Sequence, residues 1–350
     1  MEAQLQQGLD VRGLCPFAKD IPPALRGPIE QLPLRELEFD APDFCRVALA
    51  SAAGGLPALF HFHGFVPQFE RLGRSLVRAG IPYVITSQGQ LHYRDPLHWL
   101  KKFVYLNLVT PFFRQAGGLH FVTRRESIRC KYLLPGWRKP ALVQHNVIKV
   151  PEPETVSPAP RQQYGIPAQA FTFVYLGRLH IEHKGLDLLV EGFARVPPAS
   201  NCCLALIGPD WAGGRSLLEG LAQRLNCAAR IRFLGPEYGE QKWRLLKMAD
   251  AFISPSRWDA CPSAVGEAIG FGLPTIVSSA MNPAPEYVEG QAVLAPEPRP
   301  AALARAMQQL AADRPLQQSL SRCGRKWILE HCSLETAGAR FKEFYRAFAP

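Results

Sequence analysis

No Cys-x-x-Cys pair occurs among the nine cysteines, which stand at 15, 45, 130, 202, 203, 227, 261, 323 and 332. An odd count, scattered in or beside apolar runs, excludes a disulfide framework and a cysteine-built zinc site and suits buried thiols in a reducing compartment. The apolar stretch Phe103–Phe113 is broken by Asn107 and Pro111 and falls far short of a membrane span. Residues Met1–Asp10 are polar and lack the apolar centre of a secretory signal. The expected location is therefore cytoplasmic. No Gly-x-Gly-x-x-Gly follows a strand-like run, which argues against a standard dinucleotide oxidoreductase. The glycine-rich segment from Gly208 to Ser216 lacks the Gly-Lys-Ser/Thr order of a P-loop.

What remains is a folded chain of 350 residues, 47% apolar and 20% charged, long enough for two domains. Its net charge of +10 is uneven: residues 1–150 hold 19 Lys and Arg against 11 Asp and Glu, and the rest hold 21 against 19. A basic first half attracts a phosphate-bearing substrate, an anionic membrane face or nucleic acid. Nucleic acid is the weakest of these, because no recognisable reading motif accompanies the charge.

Short β-rich runs form two series. The first comprises Ala58–Phe62, Tyr83–Thr86, Leu119–Val122 and Ala141–Val143. The second comprises Phe171–Leu176, Cys203–Ile207, Ile231–Leu234, Ala251–Ser254, Thr275–Ser278 and Ala292–Leu294. Helix-period stretches such as Leu186–Arg195, Ser216–Leu225 and Pro300–Leu310 separate several of them, a pattern that predicts parallel sheets covered on both faces. Four prolines in Pro151–Pro160 read as an interdomain linker. The predicted organisation is α/β, with two Rossmann-like, doubly wound parallel-sheet domains over 1–155 and 156–330. A closing amphipathic helix over 331–350 completes it, and ligand is expected in a central cleft between the domains.

Three segments carry candidate chemistry. Gly177-Arg178-Leu179 follows the Phe171–Leu176 run, and Lys184-Gly185 enters the next helix, so two cations can converge on one anion. Taken singly, either residue reads first as an ordinary surface cation. Between Ser254 and Ala268 a strand runs into a loop with Asp259, and a helix begins near Pro262 or Ser263, where free amides bind phosphate oxygens. Glu267, eight positions after Asp259, can accept from two ribose hydroxyls, and Asp259 can stabilise positive charge at an anomeric carbon. Gly272-Leu273-Pro274 punctuates a helix-to-strand turn. His61 and His63 share a strand face, but no third ligand is evident and no metal is assigned.

In order and spacing these pieces resemble glycosyltransferase family 4, a family of retaining enzymes with the GT-B fold. The match runs through Gly177-Arg178-Leu179, Lys184-Gly185, Ile231–Gly235, Pro255-Ser256, Asp259, Glu267-Ala268, Gly272-Leu273-Pro274 and Pro285-Glu286, about 125 residues. The resemblance implies a hexosyltransferase-like enzyme that needs no resident cofactor or metal and uses a UDP- or GDP-sugar as co-substrate. Arg178 and Lys184 would bind the donor diphosphate, Glu267 the ribose, and amides of Ser263, Ala264 and Val265 the distal phosphate. Phe233 to Gly235 would form the turn beside the base, Gly177 would open the phosphate loop, and Asp259 would face the sugar. On the acceptor side, His61-Phe62-His63-Gly64 resembles the family's His-x-His-Gly, and Gly118–Thr123 with Glu126 also fits.

Three departures stand out. Asp259 replaces the family's first glutamate, shortening its reach by one methylene. Ser87-Gln88-Gly89 replaces a His beside Gly, and Gln88 cannot exchange a proton near neutral pH. Leu5–Val11 resembles the end of a first helix and a second strand, so about thirty N-terminal residues are expected to be missing, leaving an exposed sheet edge. The expected acceptor is a saccharide or lipid-linked hydroxyl in cell-surface polysaccharide, lipopolysaccharide or exopolysaccharide synthesis. Trp99–Leu106 reads either as an interfacial helix on an anionic inner membrane or as a helix packed on the sheet with Lys101-Lys102 exposed. The alternatives are a binder that keeps the donor pocket without efficient transfer and an epimerase of the same fold.

Overall fold

The computed structural model describes residues 13–15, 34–36, 59–65, 67–89 and 110–348. The chain divides into two units, one drawn from Met1–Asn146 with Leu334–Pro350 and the other from Val147–Ser333. The Leu5–Val11 and Trp99–Leu106 segments lie outside the described residues. No helix among the described residues is long and apolar enough to cross a membrane.

In the first unit β1 (Gly13–Cys15) and β2 (Leu34–Glu36) pair in parallel as a separate two-stranded sheet. Strands β3 (Phe60–His63), β4 (Tyr83–Thr86), β5 (Gly118–Phe121) and β6 (Ala141–Val143) lie parallel in sequence order. Alternation along β4 sends Tyr83 and Ile85 to one face. There they join Phe62, Leu119, Phe121, Leu72 and Leu76 of α1 (Pro67–Arg78) and Cys130 of α2 (Arg124–Leu133) in one core. Val84 faces the opposite way, onto Phe341 and Phe344 of the C-terminal helix Leu334–Arg346.

The second unit holds five parallel strands, β7 (Phe171–Leu176), β8 (Cys202–Ile207), β9 (Ile231–Gly235), β10 (Ala251–Ser254) and β11 (Thr275–Val277), in the order β11-β10-β7-β8-β9. Fully apolar strands such as β8, buried at every position, need cover on both faces, and helices provide it. Its helices are α3 (Ile181–Lys184), α4 (Leu186–Ala194), α5 (Gly214–Arg224), α6 (Gly239–Met248), α7 (Ser263–Gly270), α8 (Ala284–Glu289), α9 (Pro300–Ala312) and α10 (Arg314–Cys332). Phe173, Leu204 and Ile253 pack against α4, α5 and α9. Val174, Ala205 and Phe252 pack against α6, α7 and α10. The proline-rich segment is tied along this unit. Ala159 is buried and donates its amide to the Arg244 carbonyl, and Glu152 pairs with Arg325 at 2.6 Å.

Ala292–Leu294, expected as a strand, does not extend the sheet. Only Leu294 bridges to Ile276, while the Ala292 amide is taken by the Tyr287 carbonyl at the end of α8. Two residues beyond Leu294, Pro296 has no N–H with which to continue a ladder.

Candidate active site

The strand order sets the place. From β7 the chain winds outward through β8 and β9, then returns to the other side of β7 as β10 and β11. Loops leaving the C-terminal ends of the adjacent strands β7 and β10 therefore diverge, the switch-point geometry at which open α/β sheets hold ligands. Gly177 and Arg178 leave β7 there, and Pro255 to Pro262 leave β10.

The two loops are laced together. Lys184 Nζ meets Asp259 Oδ2 at 2.6 Å, with the side chains 16% and 12% exposed. Arg257 grips Asp187 with both terminal guanidinium nitrogens, at 2.8 and 2.6 Å, and donates its amide to the His183 carbonyl. Gly185 takes φ +64°, and a Cβ there would lie 2.5 Å from the Pro255 carbonyl oxygen. The Lys-Gly pair thus has a steric cause: only glycine lets this backbone pass so close to β10's loop. The next loop is equally tight, since a Cβ on Gly208 would stand 1.9 Å from the Gly177 oxygen.

Arg178 is exposed, and its guanidinium lies 4.6 Å over the Trp211 ring. Among the described residues no carboxylate pairs with it. It is an oriented cation with its charge available to an anion. His180 stacks on Trp211, and His183 stacks on the half-exposed Trp258 at 3.8 Å. Burial raises the Tyr175 phenol and Asp259 adds to the rise, so the hydroxyl stays protonated and donates to the Arg178 carbonyl. Burial, with Lys184 next to it, lowers the His183 imidazole.

Helix α7 starts at Ser263 after Pro262, so the Ser263 and Ala264 amides have no acceptor inside the helix. The Val265 amide instead donates to the Pro262 carbonyl at 3.2 Å. Glu267, on the same helix, pairs at 2.9 Å with Lys242 of α6, so the structure gives Asp259 and Glu267 different cationic partners. Phe233 lies under the Arg215 guanidinium at 5.6 Å, and the Gly235 carbonyl accepts from the Gly208 amide.

In the first unit His63 is exposed at the end of β3, stacked on His61 at 4.3 Å, and the Gly64 amide donates to the Thr86 carbonyl. Gln88 is exposed in a left-handed turn, φ 47°. The turn is fixed by Glu126, 1% exposed, which accepts from the amides of Gly89 and Val122. Thr123 caps α2 by accepting from the Glu126 amide. Burial raises the Glu126 carboxyl, and the two amides oppose that rise.

Beneath lies a hydrogen-bond chain whose direction follows from its end. His120 Nε2 must donate to the Gln144 carbonyl, 2.7 Å away, so its Nδ1 accepts from the Thr86 hydroxyl at 2.8 Å. Thr86 Oγ1 in turn accepts from His61 Nε2 at 2.7 Å, and His61 Nδ1 accepts from Tyr345 at 2.6 Å. Both rings are neutral in this scheme, in keeping with burial holding His61 far below the ordinary imidazole range and His120 at about 4.

Sequence reasoning missed Lys242, the Arg257–Asp187 grip and the Trp211 platform. Arg257 and Trp258 stand inside the segment singled out around Asp259 and carried the available signal. Lys242 on a helix reads as a solvated cation.

Two cations, two carboxylates and the first amides of α7 thus lie on the loops and helices around the β7–β10 end of a parallel sheet, groups able to meet an anionic, hydroxyl-bearing ligand. Residues 156–327 match the family described as Glycosyl transferases group 1. Two uncharacterized glycosyltransferases of Methanocaldococcus jannaschii, MJ1059 and MJ1607, are 29% identical over 134 residues and 28% identical over 119. The matches cover 37% and 34% of this chain and 32% and 30% of the relatives, so the chain spans about a third of the length of the curated relatives it matches. Among solved structures, sucrose-phosphate synthase from Thermosynechococcus elongatus superposes with a TM-score of 0.73 at 22% identity, covering 87% of this chain and 77% of that one. Anabaena HepE in complex with UDP and glucose gives 0.74 at 19%, covering 93% and 90%. The fold is that of the GT-B glycosyltransferases.

Proposed function

We propose that this protein transfers a glycosyl group from a nucleoside diphosphate sugar to a hydroxyl of a saccharide or lipid-linked acceptor, with retention at the anomeric carbon. The observation that carries the reading is the presence, at the switch point of a domain that matches the group 1 family, of Arg178, with which no carboxylate among the described residues pairs, together with the Lys184–Asp259 couple. HepE, of like fold, is solved with UDP and glucose and with UDP-glucose, which supports a nucleotide-sugar donor. In this reading Arg178, Lys184 and the Ser263 and Ala264 amides hold the diphosphate without a resident metal. As the sugar–phosphate bond breaks, charge grows on the leaving oxygen, and fixed cations stabilise it most at that moment. Asp259 holds Lys184 in place beforehand and stands next to the developing positive charge of the sugar.

The location proposed is cytoplasmic, with peripheral contact at an anionic membrane. Helix α2 supports that contact: Ile128 and Tyr132, 49% and 83% exposed, share a face with exposed Arg124 and Lys131. Substituting Lys101 and Lys102 and measuring vesicle flotation tests the Trp99–Leu106 contribution. Unchanged partition refutes it.

The test of function is incubation with UDP- and GDP-sugars, following binding by calorimetry and release of nucleoside diphosphate. Arg178→Ala should weaken donor binding roughly tenfold or more, the worth of a lost charge-assisted contact, while the melting temperature barely moves. Binding without release favours the second reading, donor binding without efficient transfer, which the exposed and non-titrating Gln88 supports. No binding to any donor removes both.

A further inference from the structure

The ion pair between Lys242 and Glu267 joins two helices on one face of the second unit's sheet, α6 and α7, whose Leu245, Leu246, Val265 and Ile269 share a core. The side chains are 18% and 21% exposed. Lys242 is further confined by the Trp243 ring, 4.2 Å below its ammonium, and Trp243 itself packs on Phe271. This is not the arrangement of a solvated helix-face lysine, whose head is free to wander.

A carboxylate has two oxygens and can accept on both. Lys242 holds Oε1 of Glu267, and among the described residues nothing else engages its carboxylate. The carboxylate is therefore anchored at one oxygen, charged, and open at the other. That is what a ligand presenting neighbouring hydroxyls requires: an acceptor already oriented, so that binding does not have to order a long side chain. Removing a substrate hydroxyl from a site built to accept from it leaves a charged acceptor unpaired and is strongly disfavoured.

We infer that Lys242 is a positioning residue that orients Glu267 toward the donor's ribose and thereby makes the site selective for ribonucleotides over deoxyribonucleotides. The inference rests on the donor-binding reading above. It acts through Glu267 and assigns Lys242 no contact with the reacting atoms.

The experiment is calorimetry of UDP and GDP and of their 2′-deoxy counterparts. The proteins are wild type, E267Q, K242M, K242Q, K242R and K242M/E267Q, each shown to be folded by thermal melting. The wild type is expected to prefer the ribonucleotide roughly tenfold or more. K242M, K242Q and E267Q should each shrink that preference to about threefold or less, the double variant should shrink it no further, and K242R should restore it. Equal weakening of both nucleotides by K242M and K242Q, with the preference intact, would show that Lys242 is only an interhelical tether and overturn the inference. Wild-type binding without a preference overturns it too. Failure of the wild type to bind any of the four nucleotides instead removes the donor reading on which it stands.

Discussion

Acidification should loosen the first unit through His120. Its ring is 3% exposed, and burial holds the imidazole at about 4 against an ordinary value of 6.5, although the bond to the Gln144 carbonyl pulls the other way. In the unfolded chain the ring takes its proton near pH 6.5, whereas in the folded chain it resists until about 4. Between those limits the unfolded state binds more protons, so stability falls as pH falls, and the loss levels off below the folded value. At about 1.4 kcal/mol per pH unit the interval amounts to roughly 3 kcal/mol, a large part of a typical folding free energy. Protonation also turns Nδ1 from the acceptor of the Thr86 hydroxyl into a competing donor. His120→Asn keeps one donor and one acceptor but does not titrate in this range. Urea unfolding of both proteins at pH 7 and pH 4 gives the two stability changes, and an NMR titration of the ring follows the proton directly. The wild type should lose roughly 3 kcal/mol more than the variant over that interval. Equal losses would refute the assignment, whatever the variant costs at neutral pH. His61, also held low by burial, acts in the same direction and remains in both proteins.

Gly185→Ala should cost roughly 2–4 kcal/mol, because a left-handed backbone and a Cβ aimed at a fixed carbonyl must both be accommodated. A thermal melt reads this, and an unchanged midpoint would show that the two loops do not meet at Pro255. Lys184→Met leaves the Asp259 carboxylate, 12% exposed, with only the Ser256 hydroxyl at 3.4 Å among the described residues and should cost roughly 3–5 kcal/mol. Lys184→Met/Asp259→Asn should recover much of that loss, and additive effects in the denaturation cycle would mean that the pair is not coupled.

Much of this architecture is legible in the chain. Strand-period runs ending in Gly or polar turns appear as strands at Tyr83–Thr86, Phe171–Leu176 and Ala251–Ser254 with the same limits, because a fully buried parallel strand must be continuously apolar. Ala292–Leu294 has the same local composition and yet forms a single bridge, since the Ala292 amide is taken by the Tyr287 carbonyl at the end of α8 and Pro296 beyond it has no N–H to donate. In the site, Arg178, Lys184, Asp259 and Glu267 stand out by residue type and spacing. Their couplings do not. That Lys184 pairs with Asp259, 75 positions away, and Glu267 with Lys242, 25 positions away, depends on which strand lies beside which. Gly185 is visible as half of a motif, but the carbonyl that demands glycine belongs to a loop 70 residues on.

The same carboxylate of Glu126 serves the first turn of α2 and the turn containing Gln88. Those segments are linked through α2: unwinding of its first turn removes the acceptor of both the Gly89 and the Val122 amides. Their amides should exchange with solvent as one cooperative unit, with Gly89 and Val122 protected together. Gln88 is thereby held in a conformation that a non-glycine residue seldom adopts alone, and the turn is already ordered when folding ends. A ligand arriving at that turn therefore meets a rigid edge, and its association gives up less conformational entropy than docking on a loose loop would.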